Sequence, residues 1–336
     1  MNNFLSQDEL DHYQIVEWGY TEQLNPTSYN RFEKWIKKEH HGELKYLSDH
    51  RKDARKSLSE VMNTCKSALV FLFSYHPQKI ALEEFYQSKE SNGLKIAGYC
   101  FGFEGNDYHL TISKYLNEIG EKLKNSNPNI NWRQSLDIQP VLERDLAFRS
   151  GLGWFGKNSM MINRKHGSFL MIGSLLLDQT LSLSSKPVET DHCGQCRACI
   201  ESCPTDAIEE SSRTLIAERC ISTFTIEHFK EVSPPEKMEL SSGEIFGCDI
   251  CQDVCPWNKR PMRLGLKGIS NETLKSRNKL VFDTFLTPSL DKVIEKVESF
   301  SGKKYAKQFF NTPLGRTGKK GMLKNLMFWK KVKTNV

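Results

Sequence analysis

The sequence contains no apolar run that approaches the length needed to cross a membrane, and no long low-complexity segment. Residues 1–4 are followed soon by Asp8 and Glu9, without the basic and apolar regions of a secretory signal. We therefore expect a cytoplasmic protein that does not engage membranes. In that compartment disulfide bonds are rare, so the ten cysteines call for another explanation.

Acidic residues are absent from the C-terminal stretch between Lys303 and Val336, although the chain as a whole is only modestly basic, with 47 Lys and Arg against 41 Asp and Glu. Ten basic residues fall in this stretch: Lys303, Lys304, Lys307, Arg316, Lys319, Lys320, Lys324, Lys330, Lys331 and Lys333. Phe309, Phe328 and Trp329 are interleaved with them. Such a basic tail suits a polyanion such as RNA, and it equally suits a solvated helix face.

Eight cysteines follow the spacing of bacterial two-cluster ferredoxins. The motif Cys193-x2-Cys196-x2-Cys199-x3-Cys203-Pro204 is echoed by Cys248-x2-Cys251-x3-Cys255-Pro256, and Cys220 can supply the thiolate that the echo lacks. In this pattern the cysteine before each proline ligates the other cluster. We predict two 4Fe–4S clusters, one held by Cys193, Cys196, Cys199 and Cys255 and the other by Cys203, Cys220, Cys248 and Cys251.

Zinc is the main alternative for these cysteines, but two zinc sites would more naturally show separated Cys-x2-Cys pairs. Cys65 and Cys100 lie outside the pattern. An isolated free cysteine is usually a small buried hydrophobic residue, and we expect that of both.

Hydrophobic patterning predicts an α/β (α+β) fold in the first part of the chain, residues 1–185. Residues 68–73 are a short apolar run typical of a buried strand, and apolar residues recur at helical spacing from Ile112 to Leu123. A helix is predicted over 141–149, stopped by Gly151. Two further apolar runs, 169–172 and 175–177, predict strand.

The rest of the chain is predicted to form two further domains. A polar linker from Ser182 to Asp191 leads into residues 186–262, which carry the cysteine motifs. Residues 263–336 form a short helical basic tail. The predicted architecture is therefore a large α/β domain, a ferredoxin-like domain and a helical C-terminal segment.

Residues 151–156 read Gly-Leu-Gly-Trp-Phe-Gly and match the glycine fingerprint of dinucleotide-binding sites. That fingerprint needs a strand before it and a helix after it. Here a predicted helix precedes the glycines, so we interpret them as a tight turn that brings the backbone close to something large.

A ferredoxin-like module moves single electrons, so the large domain should hold an electron acceptor and a proton source. The candidate proton donors are Cys100, Asp107, Tyr108, His109, Asp137 and Glu143. Asp137 comes just before the predicted helix, and a carboxylic acid in a water-poor pocket can deliver a proton near neutral pH. A carboxylate at such a position can also be a simple helix cap or a solvated turn.

Several of these segments together resemble the epoxyqueuosine reductase family. They are Asp107-Tyr108-His109, the segment from Asp137 to Asn158, Arg219-Cys220-Ile221-Ser222 and Val254-Cys255-Pro256-Trp257-Asn258. The match runs from about Tyr46 to Asn325. It implies a nitroreductase-like cobalamin-binding domain beside a two-cluster ferredoxin-like domain, in a monomer related to the reductive dehalogenases.

The resemblance also implies a reaction. An external one-electron donor would reduce the clusters, the clusters would feed electrons to cobalamin, and epoxyqueuosine at the wobble position of tRNA would become queuosine. Asp137 aligns with the family's catalytic acid, which protonates the leaving epoxide oxygen. The modified base must leave the anticodon stack to react.

Further site residues are carried over from the family. Cys100 and the Asp107, Tyr108, His109 segment are implied to line the cofactor pocket, together with Arg55, Arg144, Lys157, Asn158 and Ser159. The chain departs from the family at 53–55, which reads Asp-Ala-Arg for Asp-Pro-Arg, and at 138–140, which reads Ile-Gln-Pro for Thr-Gly-Pro or Ser-Gly-Pro. It offers no Asp-x-His-x-x-Gly run that would present a histidine to cobalt, as expected where cobalamin binds base-off.

Two other classes of protein share parts of this pattern. A reductive dehalogenase-like cobalamin enzyme would act on a small organohalide and would have no need of the basic tail. A pure electron carrier would bind no cobalt and turn over no substrate.

Overall fold

The structure is a computed structural model that describes residues 4–227 and 232–334. The strands are β1 Ile15–Thr21, β2 Ser67–Ser74, β3 Lys95–Ile96, β4 Trp132–Ser135, β5 Trp154–Phe155, β6 Met161–Ile162, β7 Leu170–Leu177, β8 Ile208–Glu209, β9 Thr214–Leu215 and β10 Glu244–Phe246. The α-helices are α1 Gln7–His12, α2 Tyr29–Lys37, α3 Arg51–Ala54, α4 His76–Tyr86, α5 Tyr108–Ser126, α6 Glu143–Arg149, α7 Ala198–Glu201, α8 Ile250–Asp253, α9 Pro256–Arg263, α10 Asn271–Arg277, α11 Lys279–Val281, α12 Leu290–Glu298, α13 Gly302–Gln308 and α14 Gly318–Thr334. Within these described ranges, every helix is too short or too polar to span a bilayer.

A four-stranded sheet with the order β1-β2-β7-β4 forms the centre of the first part of the chain, and all its neighbours are antiparallel. The apolar run 68–73 is confirmed as a strand, β2, and lies in the middle of the sheet. Its side chains alternate between two apolar clusters, with Phe71 on one face and Val70 on the other. Because both faces are covered, the strand needs no polar alternation, which explains its continuous hydrophobicity.

Helices complete the layers on both sides of the sheet. On one face α5 packs through residues at the predicted helical spacing, among them Ile112 and Leu116. On the other face α6 packs through Leu146 and Ala147. The predicted helix 141–149 begins at Glu143, and the two apolar runs at 169–172 and 175–177 are parts of the single strand β7. The arrangement confirms the mixed helix and strand class.

The C-terminal helices share one apolar cluster with the first part of the chain and with the cysteine-rich region. That cluster includes Phe85 of α4, Phe246 of β10, and residues of α12, α13 and α14. Strand β10 also pairs in parallel with β3. This core draws on all three of the predicted domains, 1–185, 186–262 and 263–336. The division itself stays a prediction.

In the basic tail Phe309 and Trp329 are core residues and Phe328 is partly buried against the same core, whereas Phe310 is 74% exposed. Phe309 is fully buried and Trp329 is 5% exposed, with its indole N–H bonded to the Glu244 carbonyl at 3.0 Å. Lys319 and Lys324 donate to backbone carbonyls, Lys319 to Glu298 and Lys324 to Phe224. Sequence spacing alone could not separate an inward-facing aromatic stripe from an exposed one.

The glycine turn after α6 is confirmed as a tight approach of backbone to backbone. Gly151 has a φ of +70°, and a Cβ there would lie 2.7 Å from the Pro187 carbonyl oxygen. At Gly153, with a φ of +151°, a Cβ would meet the Ile162 carbonyl oxygen at 2.0 Å. Because a helix precedes these glycines, the turn lacks the strand–turn–helix context of a dinucleotide site.

Candidate active site and cysteine groups

A cleft of about 370 Å³ is here called the central cleft. It opens between the part of the chain that carries the four-stranded sheet, here called the sheet domain (residues 4–185), and the cysteine-rich region (residues 192–258). Its walls come from α2 and the loops that follow it, from the segment that joins β4 to α6, and from the β8–β9 hairpin with its continuation to residue 223. The lining residues include Phe32, Trp35, Tyr46, Arg55, Asp137, Gln139, Arg144, Phe155, Ser159, Arg213 and Thr223. The cleft is therefore lined by aromatic rings, guanidinium groups and two of the candidate proton donors, Asp137 and Glu143.

The N-terminus of α5 presents two of the predicted pocket residues. Asp107 caps this helix, because its side chain accepts the His109 backbone N–H at 2.9 Å. The same carboxylate lies 3.0 Å from Nδ1 of His109. The rings of Tyr108 and His109 stack at 4.2 Å. A cap that also bonds the imidazole fixes the direction of both side chains.

Asp137 is held by both of these residues while it still faces the cleft. Its Oδ2 accepts from the Tyr108 hydroxyl, and its Oδ1 is bonded to Nε2 of His109. The Asp137 backbone N–H donates to Glu143, and the residue has a left-handed φ of 38°, unusual for a non-glycine residue. The side chain is 44% exposed. The carboxyl group is therefore oriented by two partners yet accessible, which is what a proton donor requires.

Two neighbours of Asp137 bind protons more tightly than usual. Burial opposes protonation of His109, but its hydrogen bonds to Asp107 and Asp137 outweigh that effect and raise its pKa to about 9. Burial and the charge of Asp137 raise the pKa of Glu143 to about 8. Burial also raises the pKa of Tyr108, which keeps the hydroxyl a donor. His109 and Glu143 therefore both carry a proton near neutral pH.

These shifts predict that the folded protein loses stability as the pH rises. His109 binds its proton more tightly when folded, so its contribution is complete below about 6.5 and disappears as the pH passes about 9. Glu143 has its raised pKa in the folded state, so it acts in the same direction between about 4.5 and 8. The decline should amount to several kcal/mol for the pair together, since each unit of pKa shift corresponds to about 1.4 kcal/mol before partial solvent screening reduces it.

Urea unfolding under anaerobic conditions between pH 6 and 9 measures this decline, with pH values chosen around the shifts above. The double variant His109→Gln/Glu143→Gln should show a flatter dependence than the wild type, whereas replacement of the exposed His12 by Gln should keep the wild-type slope. Equal slopes in all three proteins would contradict the raised pKa values of His109 and Glu143.

Arg316 completes the network, and the sequence analysis did not single it out. It comes from the C-terminal segment, just before α14, and its Nη2 donates to both Asp107 oxygens, at 2.6 and 2.7 Å. Its Nη1 lies 3.3 Å from the Tyr108 hydroxyl, and the guanidinium lies over the Tyr108 ring at 4.9 Å. The one available signal was that Arg316 is the single arginine among nine lysines of the tail, because a bidentate carboxylate contact favours arginine over lysine.

Some of the other predicted pocket residues line the central cleft, and the rest lie outside its lining. Arg55, Arg144 and Ser159 line the cleft, and Arg144 donates to Ser159 Oγ at 2.8 Å. Lys157 pairs with Glu210 at 3.2 Å, and Asn158 donates to the Cys251 carbonyl at 3.2 Å. Both of these bonds tie the sheet domain to the cysteine-rich region.

Cys100 lies apart from this lining. It is 1% exposed and belongs to the apolar core with Ile96, Phe101 and Phe246. Burial holds the pKa of its thiol well above the usual range. Its predicted role in the pocket stays a prediction, and so do the roles of the residues above.

The eight motif cysteines gather in two neighbouring groups, and all ten cysteines are unbridged. The first cysteine group comprises Cys193, Cys196, Cys199 and Cys255, whose thiols lie close enough together that, after burial, their charges help raise the pKa of Cys199 to about 11. The second cysteine group comprises Cys203, Cys220, Cys248 and Cys251, and burial and the neighbouring thiols of this group raise the pKa of Cys251. The assignment of these two sets as the ligands of two clusters stays a prediction.

Four thiolates around an inorganic core is the arrangement of a 4Fe–4S cluster. The donor set of each group therefore fits such a cluster in number and in kind.

Comparisons with known proteins agree with both parts of this site. The family model described as "Epoxyqueuosine reductase QueG, DUF1730" matches residues 55–137, and the one described as "4Fe-4S double cluster binding domain" matches residues 192–258. The second match confirms that the cysteine-rich region is of the 4Fe–4S binding type.

Relatives and solved structures that match most of the chain are epoxyqueuosine reductases as well. An epoxyqueuosine reductase of Cyclobacterium marinum is 37% identical over 250 residues, which are 74% of this chain and 75% of the relative. The fold matches that of epoxyqueuosine reductase from Streptococcus thermophilus, with a TM-score of 0.74 and 22% identity over 96% of this chain and 78% of the other.

A crystal structure of epoxyqueuosine reductase with a tRNA-Tyr epoxyqueuosine-modified tRNA stem loop matches with a TM-score of 0.72 and 20% identity, over 95% of this chain and 78% of that one. At this level of identity the two structural matches show a common fold. The sequence relationship across three quarters of the curated relative goes further, and with it the chain belongs to the epoxyqueuosine reductase family.

Proposed function

We propose that this protein reduces epoxyqueuosine to queuosine at the wobble position of tRNA, as a cytoplasmic oxidoreductase. The observation that carries the proposal is the arrangement of Asp137, held at both oxygens by Tyr108 and His109 and exposed to a cleft beside two cysteine groups. Family membership supports the substrate, because the curated relative carries the name epoxyqueuosine reductase. The reaction removes the epoxide oxygen as water and consumes two electrons and two protons.

We also propose that the central cleft holds cobalamin, and the residues present fit that cofactor. Aromatic rings of Phe32, Trp35 and Phe155 offer flat apolar surfaces to a macrocycle, and Arg55 and Arg144 can donate to the amide groups at its edge. Among the described residues that line the cleft there is no His, Cys or Met, which agrees with a cobalt that takes no ligand from the protein. Bound there, the cofactor would supply strongly reducing chemistry at the epoxide carbon.

The protein's own residues then handle the proton. Asp137 faces the cleft and can protonate the leaving oxygen, while Tyr108 and His109 hold its carboxyl group in place. With a pKa raised to about 9 by its hydrogen bonds, against the effect of burial, His109 keeps a proton near neutral pH and lies in contact with the same carboxyl group. His109 can therefore supply, through the Asp137 carboxyl group, the proton that the leaving oxygen takes up.

The two cysteine groups are proposed to hold one 4Fe–4S cluster each, which would supply electrons one at a time from an external donor. The tie between Asn158 and the Cys251 carbonyl connects the second cysteine group to the segment that carries Ser159 of the cleft wall. A monomer and a separate one-electron donor stay predictions.

Arg316 is expected to act as a positioning residue in this reaction. Arg316→Lys keeps the positive charge but loses the second nitrogen, which lets the guanidinium contact Asp107 and the Tyr108 hydroxyl together, and the flat contact over the Tyr108 ring, so His109 and Asp137 should be held less well. We expect conversion of epoxyqueuosine to fall by about tenfold, the effect of about 1.4 kcal/mol on the barrier, with an unchanged KM.

The control for Arg316→Lys is Arg277→Lys, an arginine whose nearest acidic partner, Glu104, lies 3.7 Å away outside this network. A wild-type kcat for Arg316→Lys, or a loss that appears only in KM, would show that Arg316 does not position the acid.

Binding of tRNA is proposed to use the exposed lysines of α13, since Lys319 and Lys324 donate to the protein's own backbone. Replacing Lys303, Lys304 and Lys307 together with Gln should weaken tRNA binding and flatten the plot of log affinity against log salt, because fewer condensed counterions are released. The measurement compares that slope with the wild type, and turnover at saturating stem-loop should change little.

The matched control replaces three exposed lysines elsewhere, Lys89, Lys114 and Lys124. If both triple variants keep the wild-type slope, the tRNA surface does not include α13, and it should be sought around the central cleft.

The proposed function itself is tested by incubating the reconstituted protein with cobalamin, a reductant and tRNA that carries epoxyqueuosine. Formation of queuosine supports the proposal. Cobalt bound without any conversion of tRNA would refute the substrate, and failure to bind cobalt would refute the cofactor.

A further inference from the structure

Lys79 is a buried cation that the proposed mechanism does not use. It lies on α4 in the sheet domain, and its side chain is only 4% exposed. Its Nζ contacts three carboxylates, those of Glu83 at 2.7 Å, Asp253 at 2.9 Å and Asp249 at 3.0 Å. A lysine is almost never buried to this extent unless its charge is compensated, and here it is compensated by three partners.

Two of those carboxylates alternate in sequence with cysteines of the cluster motif. Asp249 lies between Cys248 and Cys251, and Asp253 lies between Cys251 and Cys255. Asp253 is the last residue of α8, and Asp249 directly precedes the helix. The contacts made by one lysine therefore fix the segment that carries these three cysteines. Two of these three cysteines belong to the second cysteine group.

The backbone around Lys79 is shaped to admit it. Gly98 faces the lysine, and a Cβ at this position would lie 2.7 Å from Lys79 Cδ and 3.3 Å from Asp249 Oδ2. The Gly98 backbone N–H donates to the same Asp249 oxygen at 2.7 Å. A larger residue at 98 would displace either the lysine stem or the carboxylate, so the glycine keeps the two groups in contact.

The ammonium group stays charged in this environment. Burial acts to lower the pKa of Lys79, but the charges of Asp249, Asp253 and Glu83 outweigh it and hold the pKa well above its usual range. A permanent positive charge in a region with little solvent acts on its neighbours with little screening.

We propose that Lys79 tunes the reduction potential of the cluster held by the second cysteine group, and holds that group's segment in position. One-electron reduction adds a negative charge to a cluster, so a nearby buried cation favours the reduced state and its surrounding carboxylates oppose it. The potential is therefore set in part by the balance between Lys79 and its three acids. The inference rests on the proposed cluster assignment and is independent of the tRNA substrate.

The test is a redox titration of the reconstituted, two-cluster protein followed by electron paramagnetic resonance. Lys79→Met removes the charge at similar length and should shift the midpoint potential of one cluster to a more negative value. Glu83→Gln removes one of the opposing charges from a side chain that is 37% exposed, and should shift the same potential to a more positive value. The potential of the other cluster should move less in both variants.

Lys275→Met is the matched control, since Lys275 pairs with Glu90 at 2.6 Å and has no described contact with the carboxylates around Lys79 or with either cysteine group. It should leave both potentials at the wild-type values. Opposite shifts in Lys79→Met and Glu83→Gln support tuning, because a merely structural role of Lys79 gives Glu83→Gln no reason to raise a potential.

Unchanged potentials in both variants at full iron content would overturn the inference. If Lys79→Met does not retain its clusters, Glu83→Gln decides alone, and a wild-type potential in that variant is again a refutation. Wild-type protein with far less than about eight iron atoms per chain would instead refute the cluster assignment, so the two failures are distinguishable.

Discussion

Asp137→Asn should lower conversion of epoxyqueuosine by about two orders of magnitude or more, the usual contribution of a general acid. The amide keeps the size of the side chain, and it can still meet the Tyr108 hydroxyl and the His109 ring. It cannot release a proton to the leaving oxygen. The effect should lie in kcat, while cobalamin binding and iron content stay at wild-type levels, as measured by absorbance and metal analysis.

The control for this variant is Asp8→Asn, which changes an exposed carboxylate in the first turn of α1. It should convert epoxyqueuosine at the wild-type rate. Wild-type kcat in Asp137→Asn would remove Asp137 as the acid. Glu143 would then be the next residue to test, because burial raises its pKa to about 8 and it already bonds the Asp137 backbone.

Cys220→Ala should nearly abolish turnover by removing one thiolate from the second cysteine group. Cys220 is the one proposed ligand that lies between the two motif arms, at 17 residues from Cys203, so nothing else in the local spacing replaces it. The iron content should fall from about eight to about four per chain, because the first cysteine group remains complete. With one cluster lost, the path of electrons to the cleft is interrupted.

Cys65→Ala is the matched control, since Cys65 is a buried thiol outside both groups that contacts the Ser67 carbonyl. It should retain all the iron and all the activity. Cys220→Ala protein with about eight iron atoms would contradict the assignment of ligands, and so would a loss of all iron in a folded protein.

The cysteine spacing predicted the 4Fe–4S type of its region, and the continuous apolar run predicted the buried strand β2, both for physical reasons. Ligand spacing in the motif reflects how a short chain wraps a cluster, and a strand buried on both faces needs no polar residues. Both signals are local, and a sequence shows local signals directly. The antiparallel order β1-β2-β7-β4 was not predicted, because pairing of strands far apart in the chain leaves no periodicity in either strand.

The site was predicted in part for the same reason. Asp107, Tyr108 and His109 are consecutive and Asp137 follows the next strand, so they were found as separate candidates. Arg316 was grouped with the lysines of the tail, although it joins Asp107 from more than 200 residues away. The sequence analysis missed Lys79 because no pattern in the sequence of α4 indicates that carboxylates of the cysteine-rich region contact it.

Conversion of epoxyqueuosine in tRNA by this protein should depend on cobalamin. The most direct measurement is mass spectrometry of nucleosides from a tRNA stem-loop that carries epoxyqueuosine, after incubation with reduced protein that has its clusters and with or without cobalamin. We expect the modified nucleoside to lose one oxygen atom, yielding queuosine, only when cobalamin is bound. Unchanged epoxyqueuosine with the fully loaded protein, or equal conversion without cobalamin, would contradict it.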